Sequence, residues 1–231
     1  MTDEPLPWED LLGTLPAAEA EGERAQREAA FLDEVLRLSL TSRVGVLANA
    51  PVDALSRLAN ITVRRLAGEV SPDHLLHAGQ IEAPERYAAI LDASGRLACG
   101  AALGCGRQWL ASLTRALAPG GRVLIDLSNR EMELHNTSTS QMRAAADGTV
   151  YLERREVDLA TSVSTVSWTV VSTRGERREL ESRSVRLLTL TETIALIEGA
   201  RLLFDGVYGG YTGAAYDVES SRMLVVARSL L

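Results

Sequence analysis

The stretch Arg115-Ala-Leu-Ala-Pro-Gly-Gly-Arg-Val-Leu-Ile-Asp-Leu-Ser-Asn-Arg-Glu131 decides how the rest of the chain is arranged. Trp109, Leu110, Leu113 and Leu117 are spaced as one face of an amphipathic helix that runs into it. Pro119 cannot continue that helix, and Gly120 and Gly121 supply positive φ at no steric cost, so a tight turn is expected there. The apolar run Val123 to Leu127 is too short and too β-branched to be a helix and reads as a buried strand. It leaves through polar residues, Asp126, Ser128 and Asn129. Helix, turn and buried strand in succession indicate an α/β sheet, and in open α/β sheets ligands bind at the carboxyl ends of the strands.

A chain of 231 residues with 46% hydrophobic content suits one α/β domain with a sizeable core. The net charge of −7 argues against a nucleic-acid backbone as partner. All 24 basic residues are Arg, which excludes lysine-base and Schiff-base chemistry. The acidic N-terminus has no apolar run and no window approaches a membrane span, so a cytoplasmic protein without membrane partner is expected. Cys99 and Cys105 have no further cysteine partners and read as a reduced pair. His74 and His77 lack a third ligand and read as surface residues rather than a metal site.

Outward from the opening stretch, residues 1–40 read as a proline-rich arm followed by an amphipathic helix from Ala17 to Leu38. Residues 41–131 supply strands at Arg43 to Leu47, Ile61 to Leu66 and Tyr87 to Ala93 before the strand ending at Asp126. Residues 132–148 read as irregular. Within 149–188, runs at Val150 to Val157, Val163 to Val171 and Glu176 to Leu187 alternate with period two, which predicts an antiparallel three-stranded meander. Residues 189–231 give a helix capped by Thr189 or Thr191, then a hairpin pair of strands, Arg201 to Tyr208 and Met223 to Arg228.

The opening stretch resembles the fourth-helix to fifth-strand segment of class I S-adenosylmethionine-dependent methyltransferases. The likeness continues through Arg186-Leu-Leu-Thr-Leu-Thr-Glu192, Val207-Tyr-Gly-Gly-Tyr-Thr-Gly213 and Ser221-Arg-Met-Leu-Val-Val-Ala-Arg228. The resemblance implies a Rossmann-like sheet, mostly parallel, with an antiparallel edge hairpin and the meander as an insertion. It further implies S-adenosylmethionine as cofactor and a small-molecule substrate. On the same basis Ala48, Asn49, Ala50, Glu69, Gln80, Ile81 and Asp92 line the cofactor side, with Glu69 on the ribose hydroxyls and Gln80 on the adenine. Ser128, Asn129, Arg130, Arg186, Tyr208, Tyr211 and Arg222 line the substrate side.

Two departures bear on function. The three glycines of the family's cofactor loop fall on Ala48, Ala50 and Val52, and a β-branched residue fits badly wherever φ must be positive. The helix expected after Pro72 is missing or very short, which would uncover one sheet face for a homo- or hetero-oligomeric partner. A pseudo-methyltransferase acting as a partner subunit or ligand-binding protein is therefore the alternative. Leu103-Gly-Cys-Gly106 offers a competing cofactor loop, with Asp126 as the ribose acid, but leaves the upstream residues without a role.

Overall fold

The structure, a computed structural model, describes residues 21–47, 54–55, 58, 61–66, 86–135, 139–145, 147–180 and 182–230. The N-terminal arm, the loop residues Ala48, Asn49, Ala50 and Val52, the segment after Pro72 with His74 and His77, and Glu69, Gln80 and Ile81 lie outside the described residues.

In chain order the elements are α1 (Glu21–Leu36), β1 (Arg43–Leu47), β2 (Thr62–Arg65), β3 (Tyr87–Asp92), α2 (Arg96–Ala102), α3 (Gly106–Ala116) and β4 (Leu117–Ser128). There follow α4 (Arg130–His135), β5 (Thr139–Ala144), β6 (Val150–Asp158), β7 (Val163–Val171), β8 (Arg177–Glu179) and β9 (Arg183–Arg186). The chain closes with α5 (Leu190–Gly199), β10 (Leu202–Tyr208) and β11 (Arg222–Ser229).

A six-stranded sheet has the order β10-β11-β4-β3-β1-β2. Strands β1 to β4 run parallel, whereas β11 is antiparallel to β4 and β10 to β11. Period-two alternation sorts the strand residues between two apolar layers. Ile90, Val123, Ile125 and Val225 meet Leu97, Leu110, Leu113 and Ile197 on one face. Ala89, Leu91, Leu124 and Val226 meet Phe31, Leu32, Val35 and Leu36 of α1 on the other. Both faces are covered, which is why these strands are continuously apolar rather than alternating with polar residues. Of the two expected caps, Thr189 is the one present, in a capping box: Glu192 N–H donates to Thr189 Oγ1 at 3.1 Å and Thr189 N–H to Glu192 Oε2 at 2.9 Å.

Three expectations are corrected. Pro119-Gly120-Gly121 does not form a separate turn, because helix α3 ends at Ala116 and β4 already begins at Leu117. Tyr87 pairs with Leu117 and Ala89 with Arg122, so the residues between bulge out of the ladder. Only Gly120 has positive φ, 69°. Gly121 is there for close approach, since a Cβ would lie 2.9 Å from the Ala118 carbonyl oxygen and 3.0 Å from that of Tyr87.

The three-stranded meander is a five-stranded antiparallel sheet. Part of the stretch read as irregular forms β5, a polar strand on the outer side of β6. The third run is split into β8 and β9, both on the same edge of β7. Thr169 to Val166 is three steps on β7, while their partners Glu179 to Arg183 are four steps apart, so one extra residue interrupts the outer strand. Finally, residues 96–102 are helical, so Leu103-Gly-Cys-Gly106 joins two helices and not a strand to a helix. That removes the competing cofactor-loop reading, which needs a strand before it.

Candidate functional site

Strand β1 lies between β2 on one side and β3 on the other, so the strand order reverses at β1. Such a switch point opens a crevice at the carboxyl ends of the two diverging strands. Leu47 and Asp92, the last residues of β1 and β3, are paired there, and Leu47 directly precedes residues 48–52. Asp92 is buried. Its Oδ1 accepts the Ser94 backbone N–H at 3.0 Å and the Ser94 hydroxyl, while Oδ2 accepts Trp109 Nε1–H at 2.8 Å. A carboxylate is an acceptor only, so these donors hold its orientation at the strand end. Arg96 lies over the Trp109 ring, 5.0 Å from its centroid. Burial depresses the Arg96 guanidinium below its ordinary value, against the opposing pull of Asp92.

One strand over, Asp126 of β4 lies one residue beyond Ile125, the partner of Asp92, and is 5% exposed. Arg222 Nε donates to its Oδ1 at 2.7 Å and Nη2 lies 2.6 Å from the same oxygen. Tyr211 O–H donates to Oδ2 at 3.0 Å. Burial raises the Asp126 carboxyl above its ordinary value, and Arg222 and Tyr211 pull against that rise. Burial, then Asp126, holds the Tyr211 phenol well above its ordinary value, in keeping with its role as the donor to Asp126. For Arg222 burial acts downward, but attraction to Asp126 and the hydrogen bond to it leave the guanidinium raised.

Helix α1 closes this cluster from one side. Phe31 meets Tyr208 edge-on with centroids 5.0 Å apart, and Tyr211 at 6.5 Å. Asn129, fully buried, acts as a clamp: its Nδ2 donates to the carbonyls of Asp217 at 3.0 Å, Ser220 at 2.7 Å and Val218 at 3.3 Å. Its Oδ1 accepts from Tyr216 O–H at 2.9 Å and Glu131 N–H at 3.2 Å. Burial and Glu131 push the Tyr216 phenol up to about 12.

The structure brings together Tyr208, Tyr211 and Arg222, and places Ser128 opposite Arg222 in the ladder. Asn129 spends its amide on the loop at 217–220, and Arg130 lies 3.4 Å from Glu131. Arg186 goes elsewhere, to Glu192 of the α5 capping box at 2.7 Å. Sequence reasoning noted Asp126 as a polar strand exit but missed its role as the hub of Tyr211 and Arg222, although a lone acid inside an apolar run is itself a signal. It also missed Trp109 as a partner of Asp92 and the pairing of Arg155 on β6 with Glu133 of α4.

Among the described residues no group of His, Cys, Asp and Glu could hold a metal ion, and no helix is long and apolar enough to cross a membrane. No protein-family model matches the sequence, and no curated protein matches it. Solved structures do. The CcbJ methyltransferase from Streptomyces caelestis superposes with a TM-score of 0.67 at 16% identity, covering 94% of this chain and 100% of that one. An S-adenosylmethionine-dependent methyltransferase from Clostridium acetobutylicum gives 0.67 at 8% identity, covering 89% and 92%. A sugar N-methyltransferase from a Streptoalloteichus species gives 0.55 at 14% identity, covering 94% and 97%. The chain has the class I methyltransferase fold. Within that fold, the Leu47–Asp92 pair stands at the switch point, and Asp126 with Arg222 and Tyr211 stands at the exit of the next strand.

Proposed function

We propose that this protein is a methyltransferase that binds S-adenosylmethionine at the carboxyl ends of β1 and β3 and methylates a small molecule held beside the β4 exit. The observation that carries this reading is the switch point itself, where buried Asp92 is held by Trp109 and Ser94 opposite Leu47, the last residue of β1. The donor supplies an electrophilic methyl group on a sulfonium. Protein groups need only align an acceptor atom with it and exclude water. In this reading the backbone at Ala48, Asn49 and Ala50 and the edge at Asp92 receive the donor, with Glu69 on the ribose and Gln80 and Ile81 on the adenine. Ser128, Tyr208, Tyr211 and Arg222 face the acceptor, and Phe31 on α1 packs on the two tyrosines. The preference for a small acceptor is supported by the neighbouring sugar N-methyltransferase and by the acidic net charge.

Calorimetric titration of the full chain with S-adenosylmethionine and S-adenosylhomocysteine tests it. Saturable binding at micromolar strength, about −8 kcal/mol, is the expected result. No heat at millimolar ligand overturns it and leaves the donor-free scaffold, the reading that Ala48, Ala50 and Val52 favour. Ala48→Gly, Ala50→Gly and Val52→Gly together then separate the causes: recovered binding assigns the defect to the loop.

A further inference from the structure

We propose that Arg183, the first residue of β9, is a positioning residue for the donor side of the site, fixing the loop at 93–95 so that Asp92 keeps its place at the switch point. The proposal rests on the functional reading above. Arg183 belongs to the inserted sheet, where it pairs with Val166 of β7, yet its guanidinium reaches across to the loop that follows β3. Nη2 donates to the Ser94 carbonyl at 3.0 Å, and Nε lies 3.4 Å from the Cys99 Sγ on α2. These contacts join β9 to the segment that carries Asp92.

The loop is shaped around that guanidinium. Gly95 has φ 65°, and a Cβ added there would lie 2.6 Å from Arg183 Nη2. Glycine is required twice over, for its backbone conformation and for the space the side chain takes. Ser94 is in turn held from its other side: its hydroxyl and N–H donate to Asp92 Oδ1, and its Oγ accepts the Arg96 N–H at 3.2 Å. Asp92 passes the restraint to Trp109 through the indole N–H at 2.8 Å. The guanidinium therefore sets the carbonyl side of Ser94 while Asp92 sets the hydroxyl side. Removing it frees the peptide to turn, and Asp92 loses a rigid donor pair.

The test uses the full chain and two readouts. The Trp109 indole N–H resonance, assigned by comparison with W109F, reports on the Asp92 contact whether or not a donor binds. Calorimetry with S-adenosylhomocysteine reports on the donor side. R183A is expected to shift the Trp109 resonance and weaken binding about tenfold, the scale of one hydrogen bond from a charged group. R183K, which keeps the charge but lacks the fork, is expected to recover part of both. T165A removes the exposed Thr165–Ser184 hydroxyl contact in the same sheet and is expected to leave both readouts unmoved. Should R183A fail to fold, G95A perturbs the same contact from the loop side and is expected to move the resonance likewise. An unmoved Trp109 resonance in a folded R183A, or an equal shift in T165A, overturns the positioning role. Wild-type protein that binds no donor overturns the functional reading and the donor half of this proposal, and the resonance still decides whether Arg183 holds the loop.

Discussion

Arg222→Met isolates what the buried ion pair contributes. Asp126 is 5% exposed, and Arg222 supplies both contacts to Oδ1, so the substitution leaves Tyr211 as the donor on the other oxygen. Breaking a buried pair from one side costs about 3–5 kcal/mol. The Arg222 side chain is 42% exposed, however, so water screens the pair and can enter the vacated space. That discount brings the expected loss to about 2–3 kcal/mol, or roughly 4–12 °C in unfolding midpoint for a chain of this size. The pH dependence has a definite sign. The Asp126 carboxyl is already raised above 3.8 by burial, and losing Arg222 raises it further. A raised acid favours folding fully below its unfolded value and loses that contribution as pH rises through its folded value. The deficit of R222M relative to wild type is therefore largest at neutral to alkaline pH and shrinks on acidification toward the ordinary carboxylate range. Urea unfolding followed by tryptophan fluorescence at about pH 8 and about pH 5 measures both points. Adding D126N to R222M removes the stranded charge and is expected to recover part of the loss and to flatten its pH dependence. Equal stability of R222M and wild type at the higher pH, or a deficit that grows on acidification, would refute the reasoning.

Gly120 and Gly121 are expected to respond differently to alanine. G120A meets open space and bears only the cost of positive φ, about 1–2 kcal/mol, whereas G121A drives a Cβ into three carbonyl oxygens at 2.9–3.1 Å and is expected to lose more. Thermal unfolding of the two variants gives the order, and a reversed order refutes the bulge geometry. Asn129→Ala strips the clamp from the carbonyls at 217, 218 and 220 and is expected to cost about 1–3 kcal/mol. It should also make the loop between β10 and β11 a new site of limited proteolysis, and an unchanged digestion pattern would show that the clamp does not hold it.

The sheet could be read from local signals because it is built from them. Val123 to Leu127 and Tyr87 to Asp92 are apolar at every core position except Asp126 and Asp92, and Thr189 with Glu192 is a capping box that local spacing defines. The insertion was read less well. Strand β5 is polar and sits on an edge, so it has no alternation for a sequence to display, and the break between β8 and β9 comes from one extra residue that pairing alone exposes. The three-residue link between α2 and α3 shows the converse failure: Leu103-Gly-Cys-Gly106 has the spacing of a phosphate loop, and only the helix before it reveals that it is a corner.

For the site the division follows the range of the interactions. The sequence by itself determined the core strands, the helix α3 that feeds β4, the two closing strands, and the polar exits at Asp92, Asp126 and Asn129. These follow from apolar periodicity and turn chemistry over a few residues. Tertiary structure alone decided that Asp126 meets Tyr211 and Arg222, some 85 and 96 positions away, and that Asp92 meets Trp109. It also decided that Arg183 of the insertion reaches Ser94. A hydrogen bond between side chains so far apart depends on strand order and register, and no local pattern encodes it.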